Sequence, residues 1–418
     1  MKLKNLTKFI IIILIAFFIF SSCNRNKKDD KTLIFWHVMG GRILGDALND
    51  LVDKYNATNP EYKVVAIHKG KYSSLIQSIM ASIPADMLPD ITQAYESWIT
   101  KMDTADVVVC LDDYLEDKTI LDDFYPVLYR NSMYDGRFLS MPFNKSVYVM
   151  YYNKDMFELH DKTPPKTWDE FYDLCKYFTK DEDNDGNPER VGFAFIPSNG
   201  LYLTLFKSFG GEISDDPQSF LNLDSPAGLK AFTFLHDLLH KERSIKRFSG
   251  YEFQNDFAQE KAAMIITSCV SRSYFEKKLN FKLGIAPLPG DKVATTVLQG
   301  TNLVICKSNP ERERAAFKFL KFLMEPENVA FWAIRTKYVP VRRSALETEI
   351  YKDALEKDPL LAVPLEQLNE SFFEPRVIQW YRCRTILSDT IDKVVTDRKK
   401  PKEGLEYAIK KIKKEIHH

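Results

Sequence analysis

Apolar and polar residues alternate with two different periods along residues 32–95, and the periods indicate strands and helices in turn. Short runs at 33–36, 62–67 and 90–95 are typical of strands. Between them, apolar residues recur every three or four positions, as on one face of a helix. These positions are Leu44, Leu48, Leu51 and Tyr55 in the first helix, and Leu75, Ile76, Ile79, Met80 and Ile83 in the second. The order strand, helix, strand, helix, strand predicts a parallel sheet covered on both faces.

Further strands and helices are predicted beyond residue 140. An alternating run at 146–152 follows Pro142 and indicates a strand that enters from a bend. Thr167 and Glu170 form a capping box before another helix. The remaining predicted strands are 263–267, 282–286 and 297–306, and the remaining helices are 314–324 and the region from 381 on, with a break near Pro401.

The N-terminal residues form a pattern of their own. Three lysines within positions 2–8 precede an unbroken apolar run at 9–20, and two serines and Cys23 follow. This arrangement is typical of a secretory signal, and it predicts a signal peptide at 1–22 with lipid attachment to Cys23. Phe20 departs from the aliphatic residue that lipoprotein signals usually carry there, so an ordinary secreted protein is the alternative. The run is about half the ~20 residues that span a bilayer, which disfavours a membrane helix.

Composition limits the classes of protein that the chain can belong to. Residues 23–31 are polar without periodicity and are interpreted as a tether between the lipid anchor and the folded body. The 418 residues suffice for two large or three small domains, and the 45% hydrophobic content supports substantial cores. Lys+Arg and Asp+Glu both number 58, without the clustered basic face that nucleic-acid binding needs. No nucleic-acid partner is expected.

Cysteine usage argues against a disulfide scaffold and against a cysteine-based metal site. The chain has 6 cysteines, and those after Cys23 stand at long, irregular spacings. Cys175 and Cys306 fall within apolar patterns, so buried single thiols are expected.

Two features between the first strand and the first helix could carry chemistry. Gly40, Gly41 and Gly45 could hold a phosphate against a helix N-terminus, but they match neither a dinucleotide fingerprint nor a P-loop. A tight turn beside a ligand cleft is favoured instead. His37 could act as a base, although a hydrogen-bonded structural role is commoner at a strand end.

An acidic stretch at 181–186 matches the first half of a calcium-binding loop. Asp181, Asp183 and Asp185 stand at alternate positions, where their carboxylates can converge on one hard cation, and Gly186 permits the sharp turn. Gly192 occupies the place of the usual bidentate glutamate, which argues against a calcium sensor. The stretch is interpreted either as a loop held by a structural Ca²⁺ or as a plain acidic turn. No other cofactor is expected.

Short stretches spread over most of the body stand in the order that one known family shows. They are residues 35–41, 69–72, 93–96, 142–146, 151–155, 164–168, 261–268, 300–303 and 337–340. Through them the chain resembles the extracellular solute-binding proteins (family 1) of ABC importers, in particular the branch that binds sugars and glycerol-3-phosphate. The resemblance implies that no reaction is catalysed.

The resemblance also implies the architecture. The expected fold is an α/β, type II periplasmic-binding-protein-like fold with two doubly wound lobes joined by a multi-strand hinge. The first lobe would comprise 32–143 and 297–340, and the second 144–296 and 341–418. Crossovers are expected near 142–146, 295–300 and 339–343. The ligand would sit between the lobes, and the closed monomer would present both lobes to a membrane permease.

Ligand contacts of the glycerol-3-phosphate branch carry over, by resemblance, to matching positions. They are Tyr72, Glu96, Ser146, Ser268, Gly300, Tyr338 and Arg384. Arg384 would grip two phosphate oxygens, with Arg376 or Arg382 as alternatives for this role. Tyrosine and serine hydroxyls and the Gly300 N–H would donate, and Glu96 would accept from glycerol hydroxyls. Tyr72 and Glu96 would come from one lobe, Ser268 and Arg384 from the other, and the rest from near the hinge.

One region departs from that branch and leaves the ligand open. Residues 193–202 lack its tryptophans, and Phe193, Phe195 or Tyr202 could stack on a sugar instead. The expected function is a substrate-binding lipoprotein for glycerol-3-phosphate, a glycerophosphodiester or a related small sugar or polyol. The alternatives are an oligosaccharide-binding lipoprotein and, more remotely, a lipid-anchored phosphodiester hydrolase. The expected location is the cell envelope, lipid-anchored on the periplasmic or extracellular face of the membrane.

Overall fold

Two β-sheets organise the computed structural model, which describes residues 31–416. The strands are β1 (Thr32–His37), β2 (Lys63–His68), β3 (Ile91–Ala94), β4 (Met133–Tyr134), β5 (Arg137–Phe138), β6 (Met141–Pro142), β7 (Ser146–Asn153), β8 (Val191–Phe195), β9 (Ile245–Arg247), β10 (Ala262–Ser268), β11 (Leu283–Ala286), β12 (Leu298–Gln299) and β13 (Asn302–Ile305).

The helices lie between and around these strands. They are α1 (Asp46–Thr58), α2 (Tyr72–Ser82), α3 (Glu96–Thr104), α4 (Thr119–Asp122), α5 (Pro126–Ser132), α6 (Lys154–Leu159), α7 (Trp168–Phe178), α8 (Asn199–Ser208), α9 (Pro226–His236), α10 (Phe253–Ala258), α11 (Arg272–Phe275), α12 (Pro310–Leu323), α13 (Pro326–Thr336), α14 (Glu349–Lys357), α15 (Val363–Glu366), α16 (Trp380–Val395) and α17 (Pro401–Ile416). The predicted strands and helices before residue 95 are confirmed, and so is the capping box that starts α7.

The first sheet has the strand order β2-β1-β3-β13-β6. β1 runs parallel to β2 and β3, whereas β13 is antiparallel to both of its neighbours. Phe319 of α12 packs on this sheet, with its ring 6.0 Å from that of Phe35 and 4.9 Å from that of Tyr55 on α1. Alternate residues of β1 are buried, as the period-2 pattern requires.

The second sheet has the order β11-β7-β10-β8-β9, and β12 pairs with the beginning of β7. β8 is parallel to β9 and β10, while β7 is antiparallel to β10 and β11. Every residue of β8 is buried. The Phe193 ring on this strand lies 5.1 Å from that of Phe171 on α7, inside an aromatic core.

The chain crosses between the sheets at two short turns. Residues 143–145 join β6 to β7, and residues 300–301 join β12 to β13. The single strand predicted at 297–306 is therefore wrong: it is split at Gly300, whose φ of +93° breaks the extended run. The two halves belong to different sheets: β12 pairs with β7, whereas β13 pairs with β3 and β6.

A further contact region follows α13. The Val339 N–H donates to the Lys145 carbonyl at 2.9 Å, so a third stretch of chain meets the first turn. Arg342 then pairs with Asp123 at 2.6 Å, and α14 packs on α13. Residues 342–357 thus contact Asp123 and α13 of the predicted first lobe, although the predicted boundary places them in the second lobe; the lobe boundaries stay a prediction. Further along the chain, α15 packs on β7, and Gln367 donates to the Tyr148 carbonyl of that strand at 3.0 Å.

Some predictions concern residues that precede residue 31. The predicted signal peptide, Cys23 and the tether up to residue 30 lie outside the described residues. Within residues 31–416, every helix is too short or too polar to cross a bilayer. Cys175 and Cys306 are buried and form no disulfide within the described residues, as predicted.

Candidate functional site

A cavity of about 390 Å³ lies between the two lobes and brings three of the predicted ligand residues together. The first lobe contributes Tyr72, Ser73, Ile76, Tyr95, Glu96, Ser97 and Trp98, and the second contributes Glu374, Trp380, Tyr381, Arg384, Thr385 and Ser388. Tyr72 begins α2 and Glu96 begins α3, each just after the carboxyl end of a parallel strand. Open α/β sheets place ligands at this edge.

Three aromatic rings form the first-lobe wall. The Tyr95 ring centroid lies 4.8 Å from that of Tyr72 and 5.1 Å from that of Trp98, in tilted and edge-to-face contacts. Burial raises the pKa of both the Tyr72 and the Tyr95 phenol, so these groups stay protonated at physiological pH. They can therefore donate hydrogen bonds to an anionic or hydroxylated ligand.

Arg384 supplies the cation on the opposite wall. Its Nε donates to Glu374 Oε2 at 2.9 Å, and the Trp380 indole N–H donates to the same oxygen at 2.7 Å. Its Nη1 and Nη2 make no hydrogen bond to the described residues, and the side chain is 45% exposed. The Glu374 carboxylate raises the pKa of Arg384, which keeps the guanidinium charged. This geometry holds the guanidinium by one edge and leaves two nitrogens for a ligand.

One of the two carboxylate oxygens of Glu96 takes part in a buried hydrogen-bond network. Its Oε1 accepts from Asn131 Nδ2 at 2.8 Å and lies 3.3 Å from Lys145 Nζ. Lys145 also donates to Asn131 Oδ1 at 2.8 Å and to the Gly300 carbonyl at 3.4 Å. Burial lowers the pKa of Lys145, and the Glu96 carboxylate opposes that shift. Glu96 Oε2 accepts no hydrogen bond within the described residues, so it is available to a ligand donor.

Asn144 ties the first turn to two of the predicted tyrosines. Its Nδ2 donates to the Tyr72 hydroxyl at 3.1 Å and to the Tyr338 hydroxyl at 3.2 Å. Its Oδ1 accepts from Gln93 at 2.8 Å and from Thr301 at 2.6 Å. One amide therefore positions Tyr72 in the cavity wall and Tyr338 behind it.

The remaining predicted residues lie outside this wall. Ser146 is buried at the start of β7, opposite Gln299 of β12. Ser268 ends β10, and its hydroxyl accepts from the Val270 N–H at 3.3 Å. Tyr338 stacks on Trp332 with ring centroids 5.8 Å apart.

The three arginines considered for the anion-binding role have different surroundings. Arg376 pairs with Asp215 at 2.5 Å and donates to the Arg130 carbonyl at 3.0 Å. Arg382 pairs with Glu415 at 3.4 Å on the surface. Only Arg384 of the three lines this cavity.

Phe193, Phe195 and Tyr202 do not form a sugar-stacking wall. All three are buried, and the Tyr202 hydroxyl donates to the Gly228 carbonyl at 3.2 Å. They belong to the core of the second lobe because β8 and α8 are covered on all sides. The expectation that one of them stacks on a sugar is wrong.

Several wall residues were missed by sequence reasoning. Tyr95 directly follows β3, and that position at a strand end is a signal that could have found it. Trp98 follows one helical turn later on α3. Glu374 and Trp380 carry no such signal because they reach the cavity only through the packing of one lobe against the other.

The acidic stretch forms a different cluster from the one predicted. Ligand oxygens of Asp181, Asp183 and Glu189 all lie within 4.8 Å of one another. Asp185 turns away and accepts from the Asn187 N–H at 2.7 Å. The N–H of Gly186 donates to Asp181 Oδ2 at 3.0 Å, as the sharp turn requires.

His37 has a structural role in this arrangement. Its Nδ1 accepts from the Met39 N–H at 3.2 Å. Burial, helped by the nearby His68, lowers the pKa of His37 to about 4. The ring is therefore neutral at physiological pH and is already used to hold the turn after β1.

Comparisons with known proteins identify the family of the chain. The model of the family "Bacterial extracellular solute-binding protein" matches residues 50–362. The sn-glycerol-3-phosphate-binding periplasmic protein UgpB of Escherichia coli O1:K1 is 28% identical over 411 residues, covering 91% of each chain.

Two solved structures share the fold over almost their whole length. UgpB of Mycobacterium tuberculosis, in complex with glycerophosphocholine, superposes with a TM-score of 0.82 at 23% identity, covering 92% of this chain and 98% of the other. The MalE domain of Bdellovibrio bacteriovorus, bound to maltotriose, gives 0.77 at 22% identity, covering 93% and 100%. The predicted type II periplasmic-binding-protein fold is confirmed by these similarities.

The family also decides between the functional classes that the sequence left open. Its members are transport components that bind solutes and catalyse no reaction, which removes the phosphodiester hydrolase from consideration. The interlobe cavity is where a protein of this fold would be expected to hold its solute. The chain belongs to the bacterial extracellular solute-binding proteins, the substrate-binding components of ABC importers.

Proposed function

We propose that the protein captures a phosphorylated polyol, either glycerol-3-phosphate or a glycerophosphodiester, in the interlobe cavity and delivers it to the permease of an ABC importer. The observation that carries the proposal is the state of Arg384. Glu374 fixes its Nε at 2.9 Å, and the two outer nitrogens make no hydrogen bond to the described residues. A planar fork held in this way can meet two phosphate oxygens at once.

The groups around Arg384 suit the rest of such a ligand. The neutral phenols of Tyr72 and Tyr95 can donate to the remaining phosphate oxygens. Two carboxylate oxygens lack donors among the described residues, Glu374 Oε1 and Glu96 Oε2, and the former is buried. A glycerol hydroxyl that donates to Glu96 Oε2, the one of the two oxygens that is not buried, would be bound favourably.

The division of these groups between the lobes explains how binding couples to closure. Tyr72, Tyr95 and Glu96 lie on the first lobe, whereas Glu374 and Arg384 lie on the second. A ligand that contacts both sets binds the closed form more tightly than the open form. It therefore shifts the population towards closure.

The relatives supply a second line of support. One binds sn-glycerol-3-phosphate by its name, and another was solved with glycerophosphocholine. The identity to the former is 28% over 91% of this chain.

An oligosaccharide is the second candidate ligand, and the aromatic wall favours it. Five aromatic residues line the same cavity: Tyr72, Tyr95, Trp98, Trp380 and Tyr381. Ring faces pack well on the apolar faces of sugars. The similarity to the maltotriose-bound MalE domain points the same way.

We extend the proposal to the parts of the chain around the body. The signal at 1–22 would export the protein, and a lipid on Cys23 would anchor a monomer to the periplasmic or extracellular face of the membrane. The tether at 23–31 would let the body reach the permease. The structural Ca²⁺ at the acidic loop stays a prediction, with Glu189 as the third ligand in place of Asp185.

Calorimetric titration of the body from residue 31 on tests the ligand class. We expect glycerol-3-phosphate or a glycerophosphodiester to bind, and Arg384→Ala to abolish this binding. Arg398→Ala is the matched control, because Arg398 lies on the surface and pairs with Asp392. Binding of maltotriose alone, unaffected by Arg384→Ala, would establish the oligosaccharide candidate instead.

A further inference from the structure

A second cavity of about 410 Å³ adjoins the ligand cavity. The two share the wall formed by Ile76, Ser97, Trp98 and Tyr381. Met80 and Ile378 line only the second cavity, which also lies between the lobes. Each cavity exceeds the lower limit of about 300 Å³ for ordinary ligand pockets, so each alone is large enough to hold a small ligand. A three-carbon monoester bound at Arg384 would therefore occupy one cavity and leave the other empty.

The second cavity has an apolar interior and a charged rim. Ile76, Met80 and Trp98 are mostly buried, whereas Lys101 and Arg382 are exposed at its edge. Glu415 is the one acid among the lining residues, and Arg382 lies 3.4 Å from it. Lys101 and Arg382 are positively charged and Glu415 is negatively charged, so the rim has one excess positive charge. This excess charge disfavours binding of a cationic group.

The position of Arg384 connects the two cavities. It follows Tyr381, the shared wall residue, by three positions on α16. The two residues are therefore neighbours on one helix face, about 4.5 Å apart along the axis. A phosphate held by Arg384 would lie one helical turn from Tyr381, so the second ester group of a phosphodiester would be directed towards the shared wall and the second cavity.

We infer that the second cavity is a subsite for the second alcohol of a phosphodiester, and that this alcohol is uncharged and carries hydroxyl groups. The inference rests on the proposed function, because it needs the phosphate at Arg384. Apolar carbons of the alcohol would lie against Trp98, and its hydroxyls would face the rim. The physiological substrate class is then a glycerophosphodiester such as glycerophosphoglycerol, rather than the monoester.

The experiment compares three probes by calorimetry: glycerol-3-phosphate, glycerophosphoglycerol and glycerophosphocholine. We expect the wild type to bind glycerophosphoglycerol at least about tenfold more tightly than the monoester, a difference of about 1.4 kcal/mol. Ile378→Trp and Gln77→Trp, one from each lobe, fill only the second cavity. Each should remove the preference for the diester and leave the affinity for glycerol-3-phosphate within about twofold. Retained monoester binding also shows that the variants fold.

Ile350→Trp is the matched control, because Ile350 is similarly exposed (45% against 42% for Ile378) and does not line either cavity. Equal wild-type affinities for monoester and diester would overturn the inference. So would filling variants that keep the diester preference, or a preference for the choline ester over the glycerol ester. If the wild type binds none of the three probes but binds maltotriose, the proposed function fails and the inference falls with it, which is a separate outcome.

Discussion

The ammonium group of Lys145 lies 3.3 Å from the Glu96 carboxylate, and both side chains are buried. Lys145 stands in the first turn between the lobes, donates to the Gly300 carbonyl in the second turn, and accepts the Val339 N–H through its own carbonyl. Glu96 begins α3 and lines the ligand cavity. One ion pair therefore connects three crossover segments with the binding site.

Replacing Lys145 by Met should destabilise the protein strongly. The change leaves the Glu96 carboxylate without its cation in a buried site, which typically costs about 3–5 kcal/mol. Urea unfolding measures the loss. Lys154→Met is the control, because Lys154 forms an exposed pair with Glu158 at 3.7 Å and should change the free energy of unfolding by less than about 1 kcal/mol. Adding Glu96→Gln to Lys145→Met should recover part of the stability. If it recovers nothing, the charge is not the cause.

Gly300→Ala should be more damaging than an alanine at another left-handed glycine. A Cβ atom at Gly300 would overlap the Asn144 carbonyl oxygen, whereas Gly136 has a similar φ, +77° against +93°, and open space around it. Gly136→Ala should cost only the backbone strain, about 1 kcal/mol. Gly300→Ala should cost more and also weaken ligand binding, since Asn144 holds Tyr72. Equal losses in thermal unfolding of the two variants would contradict the role assigned to the second turn.

His37 should make the protein sensitive to mild acid. Burial lowers its pKa from 6.5 to about 4 in the folded state, so between these values the unfolded chain binds a proton that the folded one does not. The contribution is fully present above pH 6.5 and is lost as the pH falls towards 4, by at most about 3 kcal/mol. His37→Phe should flatten the stability profile in this window, while His160→Phe, on the surface, should not. An unchanged profile for His37→Phe would contradict the expectation.

Arg376 should hold the lobes together whatever the ligand is. It pairs with Asp215 of the second lobe and donates to the Arg130 and Met133 carbonyls of the first, while Thr100 donates to its carbonyl oxygen. We expect Arg376→Ala to weaken binding of charged and neutral ligands alike and to raise the radius of gyration of the unliganded protein. Arg137→Ala removes a pair with Asp103 within the first lobe and serves as the control. A loss confined to phosphate ligands would show that Arg376 binds the anion instead.

Local patterns were enough to predict the parts of the fold that local forces decide. Thr167 and Glu170 form both hydrogen bonds of the capping box, and the inward positions of α1 and α2 that the period indicated, such as Leu48 and Leu75, are buried. The split at Gly300 was not predictable in this way. Residues 297–306 contain apolar stretches on both sides of Gly300 and were interpreted as one strand, and only their distant partners place the two halves in different sheets.

The residues of the candidate site also differ in how far the sequence could predict them. Tyr72, Glu96 and Arg384 were all predicted through the resemblance, and of the three only Tyr72 and Glu96 closely follow strands. Glu374, which orients Arg384, stands far from the first-lobe wall in the sequence and meets it only when the lobes pack. The second cavity is likewise formed by both lobes, so no single stretch of sequence predicts it.

The place of β13 between β3 and β6 has a consequence for folding while the chain emerges, N-terminus first. The sheet that begins nearest the N-terminus lacks an interior strand until residue 305 has emerged, whereas all strands of the other sheet lie between 146 and 299. The later-starting sheet is thus the first to have all its strands available. The nascent protein must keep the exposed edges of β3 and β6 from pairing with other chains during that interval.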